Sequence, residues 1–301
     1  FEHGQHATSI TGAMGSAVAA SLIYGGDEAE VLHALGLTAS MASGVIEANR
    51  TGGTVKRLHC GLAAQAGVTA AQLVRRGFTG PPTILEGRFG FFQAWLHGQY
   101  LPDAITEGLG TTWCVPYIFF KPYPANHFTH AVVDAARALR KRGVRPQDVA
   151  SVVVGVPSAV LRTIGQPIEV KRAPETGYQA QFSGPYAVAV GLFGGGGLGA
   201  GLDDYTDELA RDPQRRALMA KVDVVGEPRC DEIYPYQFPA IVTVRTTGGE
   251  VLVEEVLSNR GGPARPLTDD ELAVKFRDNV AGRLSESVAE AIRRDVLALV
   301  E

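Results

Sequence analysis

The run Phe120-Lys-Pro-Tyr-Pro-Ala-Asn-His-Phe-Thr-His130 places a cation, two prolines and two imidazoles close together. The prolines fix φ and hold a loop in one shape. Lys121 is a compact point charge suited to a carboxylate. His127 titrates near neutrality and can move a proton. Asn126 can hold a substrate, but its amide cannot shuttle a proton at neutral pH. A rigid loop that positions ionisable groups is a common catalytic device. The competing reading is a structural hinge.

Three further segments carry similar chemistry. Gly4-Gln-His6-Ala-Thr8-Ser9 stands at a helix start. His6 can act there as an acid or base, and the helix N-terminus favours an anion. His6 and Thr8 can also simply cap the helix. Gly53-Thr-Val-Lys56-Arg-Leu-His59-Cys-Gly61 again precedes a helix. Lys56 suits a carboxylate, and its pKa falls readily on burial. The alternative is a solvated basic turn. Phe182-Ser183-Gly-Pro-Tyr186 brings a hydroxyl and a phenol into a helix, either as site groups or around a buried tyrosine.

Together these groups are cationic or neutral donors, so the fitting partner is a small di- or tricarboxylate. No metal or organic cofactor motif accompanies them. The natural chemistry is proton transfer next to a carboxylate: elimination of water, decarboxylation or epimerisation. Each passes through electron-rich intermediates that lysine, histidine and helix N-termini stabilise.

Other signals point away from other chemistries. Residues 194–201, Gly-Gly-Gly-Gly-Leu-Gly-Ala-Gly, invite a phosphate reading. A dinucleotide fingerprint needs a strand before it, whereas a helix is expected here, so the run reads as a flexible loop. Cys60, Cys114 and Cys230 are too widely spaced for a cluster motif, with Cys60 beside a helix start and Cys230 in a polar loop. There is no His-Glu-x-x-His for zinc and no Gly-x-Ser-x-Gly elbow for a hydrolase.

The composition sets the frame. The chain has 301 residues, 28 basic against 32 acidic, and a formal net charge of −4, which excludes a strongly basic nucleic-acid binder. Its 45% hydrophobic content excludes a disordered chain. Three cysteines fit a reducing cytosol, and no apolar stretch reads as a membrane span. A cytoplasmic protein without nucleic-acid or membrane partners is expected. Among its six lysines, Lys56 and Lys121 fall in the loops just described. The first residue is Phe1, and the chain soon enters what reads as a domain interior, so an upstream part is expected.

The positioning elements follow from periodicity. Helices are expected over 12–23, capped by Ser9 or Thr11, over 28–47, capped by Asp27, and over 61–76. Their many small residues favour close backbone packing. Phe89 to Phe92 and Trp95 read as core. A helix is expected over 127–142, and strands over 149–156, 222–225, 241–246 and 250–256, the last two joined at Gly248-Gly249. Helices are expected near 183–194 and 203–221, and again to the end after the capping box Thr268-Asp-Asp-Glu271. The resulting fold class is mainly α, with an α+β domain inserted into a helical one.

Four motifs in order carry a family resemblance: Gly-x-His6-x-Thr8; Lys56-x-Leu-His59-x-Gly61-x-Ala-Ala64; Gly77-Phe-Thr-Gly80 with Leu85-Glu-Gly87; and Lys121-Pro-Tyr-Pro124. They resemble the 2-methylcitrate dehydratase (MmgE/PrpD) family, which also includes cis-aconitate decarboxylase and iminodisuccinate epimerase. The resemblance implies a helical domain built from residues 1–116 and 263–301, with an α+β lid over 117–262. It implies a homodimer that works without metal or cofactor. By position, His6, Lys56, Lys121 and Tyr186 match the pocket-lining residues, with His127 a further acid–base candidate. Thr8, His59, Asn126 and Ser183 are expected to bind substrate. The position five after the pocket lysine is often histidine or cysteine in relatives; here it is Asn126, with His127 beside it. Relatives also carry an earlier stretch that contributes to the pocket. The expected function is a cofactor-independent lyase, with an epimerase or a non-catalytic carboxylate-binding protein as alternatives.

Overall fold

A computed structural model describes residues 4–48 and 53–300. Contacts divide the chain into two units, Phe1–Thr112 and Trp113–Glu301.

Small residues dictate the packing of the first unit. Helix α1 (Ala7–Ile23) lies along α3 (His59–Val74), with α2 (Glu28–Ala39) against both. A Cβ on Gly67 of α3 would fall 2.4 Å from the Ala17 nitrogen of α1, so the two backbones nearly touch. Ile10, Ala13, Ala42, Ala63 and Ala66 fill the seam, and Phe91 and Trp95 pack onto it. Phe89 departs from the expected core and is 85% exposed.

Helix boundaries differ from expectation for local reasons. Helix α1 begins at Ala7, with His6 at the cap position and no side-chain cap bond. Thr11 lies inside the helix, and its hydroxyl donates to the Ala7 carbonyl at 2.8 Å, a bond that helical threonines commonly make. Asp27 caps α2 in a reciprocal box with Glu30. That helix stops at Ala39 rather than continuing to residue 47. Gly44 adopts φ 140°, outside the helical region, and its carbonyl accepts from the His6 N–H at 3.0 Å. Helix α3 starts at His59, earlier than expected, because a 3-10 turn over Val55–Leu58 leads into it.

The second unit is built on a four-stranded sheet with order β2-β1-β3-β4. Its strands are β1 (Val149–Val156), β2 (Val222–Gly226), β3 (Ala240–Thr246) and β4 (Val251–Val256). β1 runs parallel to β2 with Val152 opposite Val222, and antiparallel to β3 with Val152 opposite Val244. β3 and β4 form the expected hairpin, where Gly249 takes φ 87°.

Helix α4 (His130–Lys141) packs on β3 and β4, and α5 (Gly184–Phe193) packs on α4. Ala131, Val132, Ala135 and Leu139 of α4 join the valines of β1 and β3 in one core. The expected helix over 203–221 is broken into Asp207–Ala210 and Pro213–Met219. Thr206 and Asp212 each cap a new start, and Pro213 can only open a helix here, since it lacks an N–H. Cys230 lies buried in the short helix Pro228–Ile233 rather than in a polar loop. Burial pushes its thiol up to about 11.

The glycine run over 194–201 is a loop, but a pinned one. The Asp204 carboxylate accepts from the Gly196 N–H at 2.8 Å and the Gly201 N–H at 2.7 Å. Helices α6 (Asp269–Val280) and α7 (Glu286–Leu297) follow, α6 opening with the expected Thr268–Glu271 box. Among the described residues, no helix is long and apolar enough to cross a membrane.

Candidate active site

In the first unit, two segments far apart in sequence meet at a pair of histidines. Gly4 to His6 runs antiparallel to Gly44 to Ile46, with Gln5 opposite Val45. This pairing delivers His6 to the start of α1. The 3-10 turn over Val55–Leu58 delivers Lys56, and the next residue opening α3 is His59. In a 3-10 turn, positions three apart eclipse, so Lys56 and His59 share a face.

His6 Nδ1 and His59 Nδ1 lie 2.8 Å apart, and the two residues are 7% and 3% exposed. One ring must donate and the other accept. Gly44 makes room: a Cβ there would fall 2.9 Å from the Ser9 Cβ and 3.6 Å from His59 Nδ1. Burial, then the charge of Lys56, then His59, hold the His6 pKa below the usual histidine value. Burial also lowers the Lys56 pKa. His6 is therefore neutral at pH 7 and able to accept a proton. Thr8 is exposed in the first turn of α1.

In the second unit, the Lys-Pro-Tyr-Pro loop folds back on itself. The Lys121 ammonium donates to the Ala125 carbonyl at 3.3 Å. His130 Nε2 also lies 3.3 Å from that carbonyl and donates to it. His127 sits against His130, Phe119 and Phe238, with ring centroids at 4.9, 5.0 and 4.8 Å. Burial, then the Lys121 charge, push the His127 pKa down to about 4. The His130 pKa is also far below its ordinary value, from burial and then the His127 and Lys121 charges. Both rings are neutral at pH 7. His127 Nε2 is buried without a hydrogen-bond partner among the described residues. Asn126 caps the 3-10 turn His127–Thr129, its side-chain oxygen accepting from the Phe128 N–H at 3.0 Å.

Ser183 and Tyr186 lie at the start of α5. The Ser183 hydroxyl accepts from the Tyr186 N–H at 3.0 Å and donates to the Lys171 carbonyl at 2.6 Å. Tyr186 is fully buried, and its hydroxyl donates to the Asp204 carbonyl at 2.6 Å. Burial raises its pKa to about 12. Acid–base work by this phenol requires that bond to open. Among the described residues, no three His, Cys, Asp or Glu side chains converge as a metal-binding group.

The sequence matches bear on both units. Residues 1–102 match the MmgE/PrpD N-terminal domain, and residues 123–299 match the MmgE/PrpD C-terminal domain. The chain belongs to the MmgE/PrpD family. It is 28% identical over 298 residues to a cis-aconitate decarboxylase of Homo sapiens, covering 95% of this chain and 58% of that protein. A cis-aconitate decarboxylase of Aspergillus terreus is 25% identical over 311 residues, covering 99% of this chain and 62% of that protein. A 2-methylcitrate dehydratase of Cupriavidus necator is 29% identical over 249 residues, covering 77% of this chain and 48% of that protein. This MmgE/PrpD chain thus spans less than two thirds of the length of these relatives.

Three residues of this MmgE/PrpD chain support the candidate groups through contacts that the structure shows. His130 follows His127 by three positions, the spacing of one helical face, which is a readable signal. Lys275 on α6 donates to the Lys121 carbonyl across 154 positions, and nothing local announces it. Lys171 donates to the Thr163 and Phe182 carbonyls at 2.6 and 2.9 Å, and burial lowers its pKa to about 8. Its contacts tie it to the Ser183 cap.

Proposed function

We propose that the protein is a cofactor-independent lyase acting on a small di- or tricarboxylate. The reaction is dehydration, in which a proton leaves carbon next to a carboxylate and water is expelled, or decarboxylation, in which loss of CO₂ leaves an electron pair on carbon that takes up a proton. The observation that carries this reading is the buried His6–His59 contact beside Lys56: a neutral base next to a cation suited to a carboxylate. The named activities of the relatives support the substrate class.

In this reading Lys56 and Lys121 hold substrate carboxylates and stabilise the enolate-like charge. His6 accepts the proton in dehydration and delivers one to carbon after loss of CO₂ in decarboxylation, with His59 fixing its tautomer through the Nδ1 contact. His127 serves as a second proton carrier, and Tyr186 as the acid where its hydroxyl is released from Asp204. Thr8, Asn126 and Ser183 orient substrate. A bound carboxylate raises the pKa of each adjacent imidazole, which favours the proton-holding form when charge develops.

The wider reading is a cytoplasmic homodimer, with residues 1–116 and 263–301 forming a helical domain and residues 117–262 an α+β lid. An epimerase reading uses the same groups. A non-catalytic carboxylate-binding protein keeps the lysines without turnover. Assays of the full natural chain on 2-methylcitrate, cis-aconitate and iminodisuccinate separate the three. The lyase reading expects turnover of a tricarboxylate and its loss in Lys121→Ala. Turnover of iminodisuccinate alone favours the epimerase. Thermal stabilisation by these compounds without turnover favours the binding protein.

A further inference from the structure

The last turn of α4 and the glycine loop border an open cavity of about 340 Å³ lined by Arg137, Arg140, Lys141, Arg145, Gly194 and Gly195. Its lining holds four cations and no acid. A helix C-terminus welcomes a cation, and Arg145 does that work by donating to the Arg140 and Val144 carbonyls at 2.9 and 3.2 Å. Arg137 donates to the Tyr123 hydroxyl at 2.9 Å. Adjacent Arg142 pairs with Glu254 at 3.3 Å. Arg140 and Lys141 have no acidic partner among the described residues.

The glycine loop is shaped around these guanidinium groups. A Cβ on Gly194 would fall 1.5 Å from Arg140 Nη1, and one on Gly199 would fall 2.2 Å from the Arg137 guanidinium carbon. Both glycines also take positive φ, 90° and 131°. Asp204, just after the glycine run, is already engaged by the Gly196 and Gly201 amides. It holds the loop, and Arg137 pairs with Asp134 at 3.7 Å, so Arg140 and Lys141 are the lining cations left without an acid among the described residues. A neighbouring cavity of about 520 Å³ shares Arg137 and Lys141 but adds Asp134, Glu254, Glu255 and Glu271. The unbalanced positive charge is therefore local to the glycine side.

We propose that this cavity binds a small phosphoryl-bearing anion of the diphosphate type. Guanidinium forks match phosphate oxygens in paired hydrogen bonds. A diphosphate concentrates more charge in a small volume than a dicarboxylate, which suits four clustered cations. The cavity lies at the small end of the roughly 300–1,000 Å³ common for small-molecule sites. The site is separate in its residues from those assigned to the carboxylate reaction and does not depend on that reading.

The test is calorimetric titration of inorganic pyrophosphate into the full chain at low ionic strength. The Arg140→Gln/Lys141→Gln variant alters two exposed side chains, and an unchanged Tm checks its fold; Arg140→Gln alone serves if the pair unfolds. Binding is expected to weaken by roughly tenfold or more, the equivalent of one lost charge-assisted bond. Lys121→Ala and the surface control Arg283→Gln are expected to bind as the natural chain does. No binding to the natural chain, unchanged binding in the cavity variants, or equal weakening in Arg283→Gln overturns the site. Succinate binding there as tightly as pyrophosphate overturns the phosphoryl assignment.

Discussion

His6 and His59 meet through their Nδ1 atoms at 2.8 Å, although 53 positions separate them in the chain. The contact holds only if one ring donates and the other keeps its lone pair. Burial first, then the nearby Lys56 charge and the His59 ring, favours a neutral His6. His6→Ala is expected to reduce kcat by about 10²- to 10⁴-fold, the usual contribution of a general base. The pH profile gives the sign. Because the His6 pKa lies below 6.5, the acid limb of kcat/KM is expected below pH 6.5, with activity falling as pH drops through the lowered value.

Acid stability reports His127. Its folded pKa of about 4 lies below the ordinary 6.5, so the unfolded chain binds the extra proton first. Stability is present above pH 6.5 and is lost as pH falls toward 4. The His127 share is roughly 3 kcal/mol, and His130 shifts in the same direction. Urea melts from pH 7 to 4.5 are expected to show a steep fall in the natural chain and a shallower one in His127→Asn.

Lys171 is expected to be structural. Its ammonium satisfies two carbonyls, from Thr163 and Phe182. Lys171→Met removes both bonds and is expected to destabilise by about 2–4 kcal/mol in chemical denaturation. The pH signature is distinctive. With a folded pKa of about 8 against an unfolded 10.5, the natural chain gains stability as pH rises from 8 to 10.5. The methionine variant is expected to lack that gain.

Close packing of α1 on α3 is tested at Gly67. Its Cβ would meet the Ala17 nitrogen at 2.4 Å and Ser16 atoms at 2.5 Å. Gly67→Ala is expected to lower stability by about 1–3 kcal/mol through overpacking, despite the better helix propensity of alanine. Gly61→Ala, where a Cβ meets nothing within 4 Å, is the control and is expected to be neutral or stabilising.

What the chain discloses on its own is local. The run Val149–Val156 reads as a strand because β-branched residues crowd a pleated surface, and it is one. Asp27 and Thr268 mark helix starts because each cap acts within three residues. The breaks at Ala39 and Pro213 are harder to read. The first depends on Gly44 pairing with a segment far upstream, and the second on two caps within a polar stretch. The site divides the same way. His6, Lys56, Lys121 and His127 stand out by type and position. The His6–His59 contact and the Lys275 grip on Lys121 are tertiary, and no spacing encodes them.

Proton transfer at carbon is the central claim, and solvent deuterium tests it most directly. Decarboxylation and epimerisation in D₂O leave one solvent deuterium on carbon, and dehydration run in the hydrating direction does the same. NMR of the products formed by the chelator-treated full chain is expected to show that single deuterium with cis-aconitate or the dehydrated form of 2-methylcitrate. The amount of deuterated product formed in a fixed time is expected to fall by about 10²-fold or more in His6→Ala and to fall likewise in Lys121→Ala. Product without carbon-bound deuterium, or an undiminished amount of deuterated product from both variants, would contradict the account.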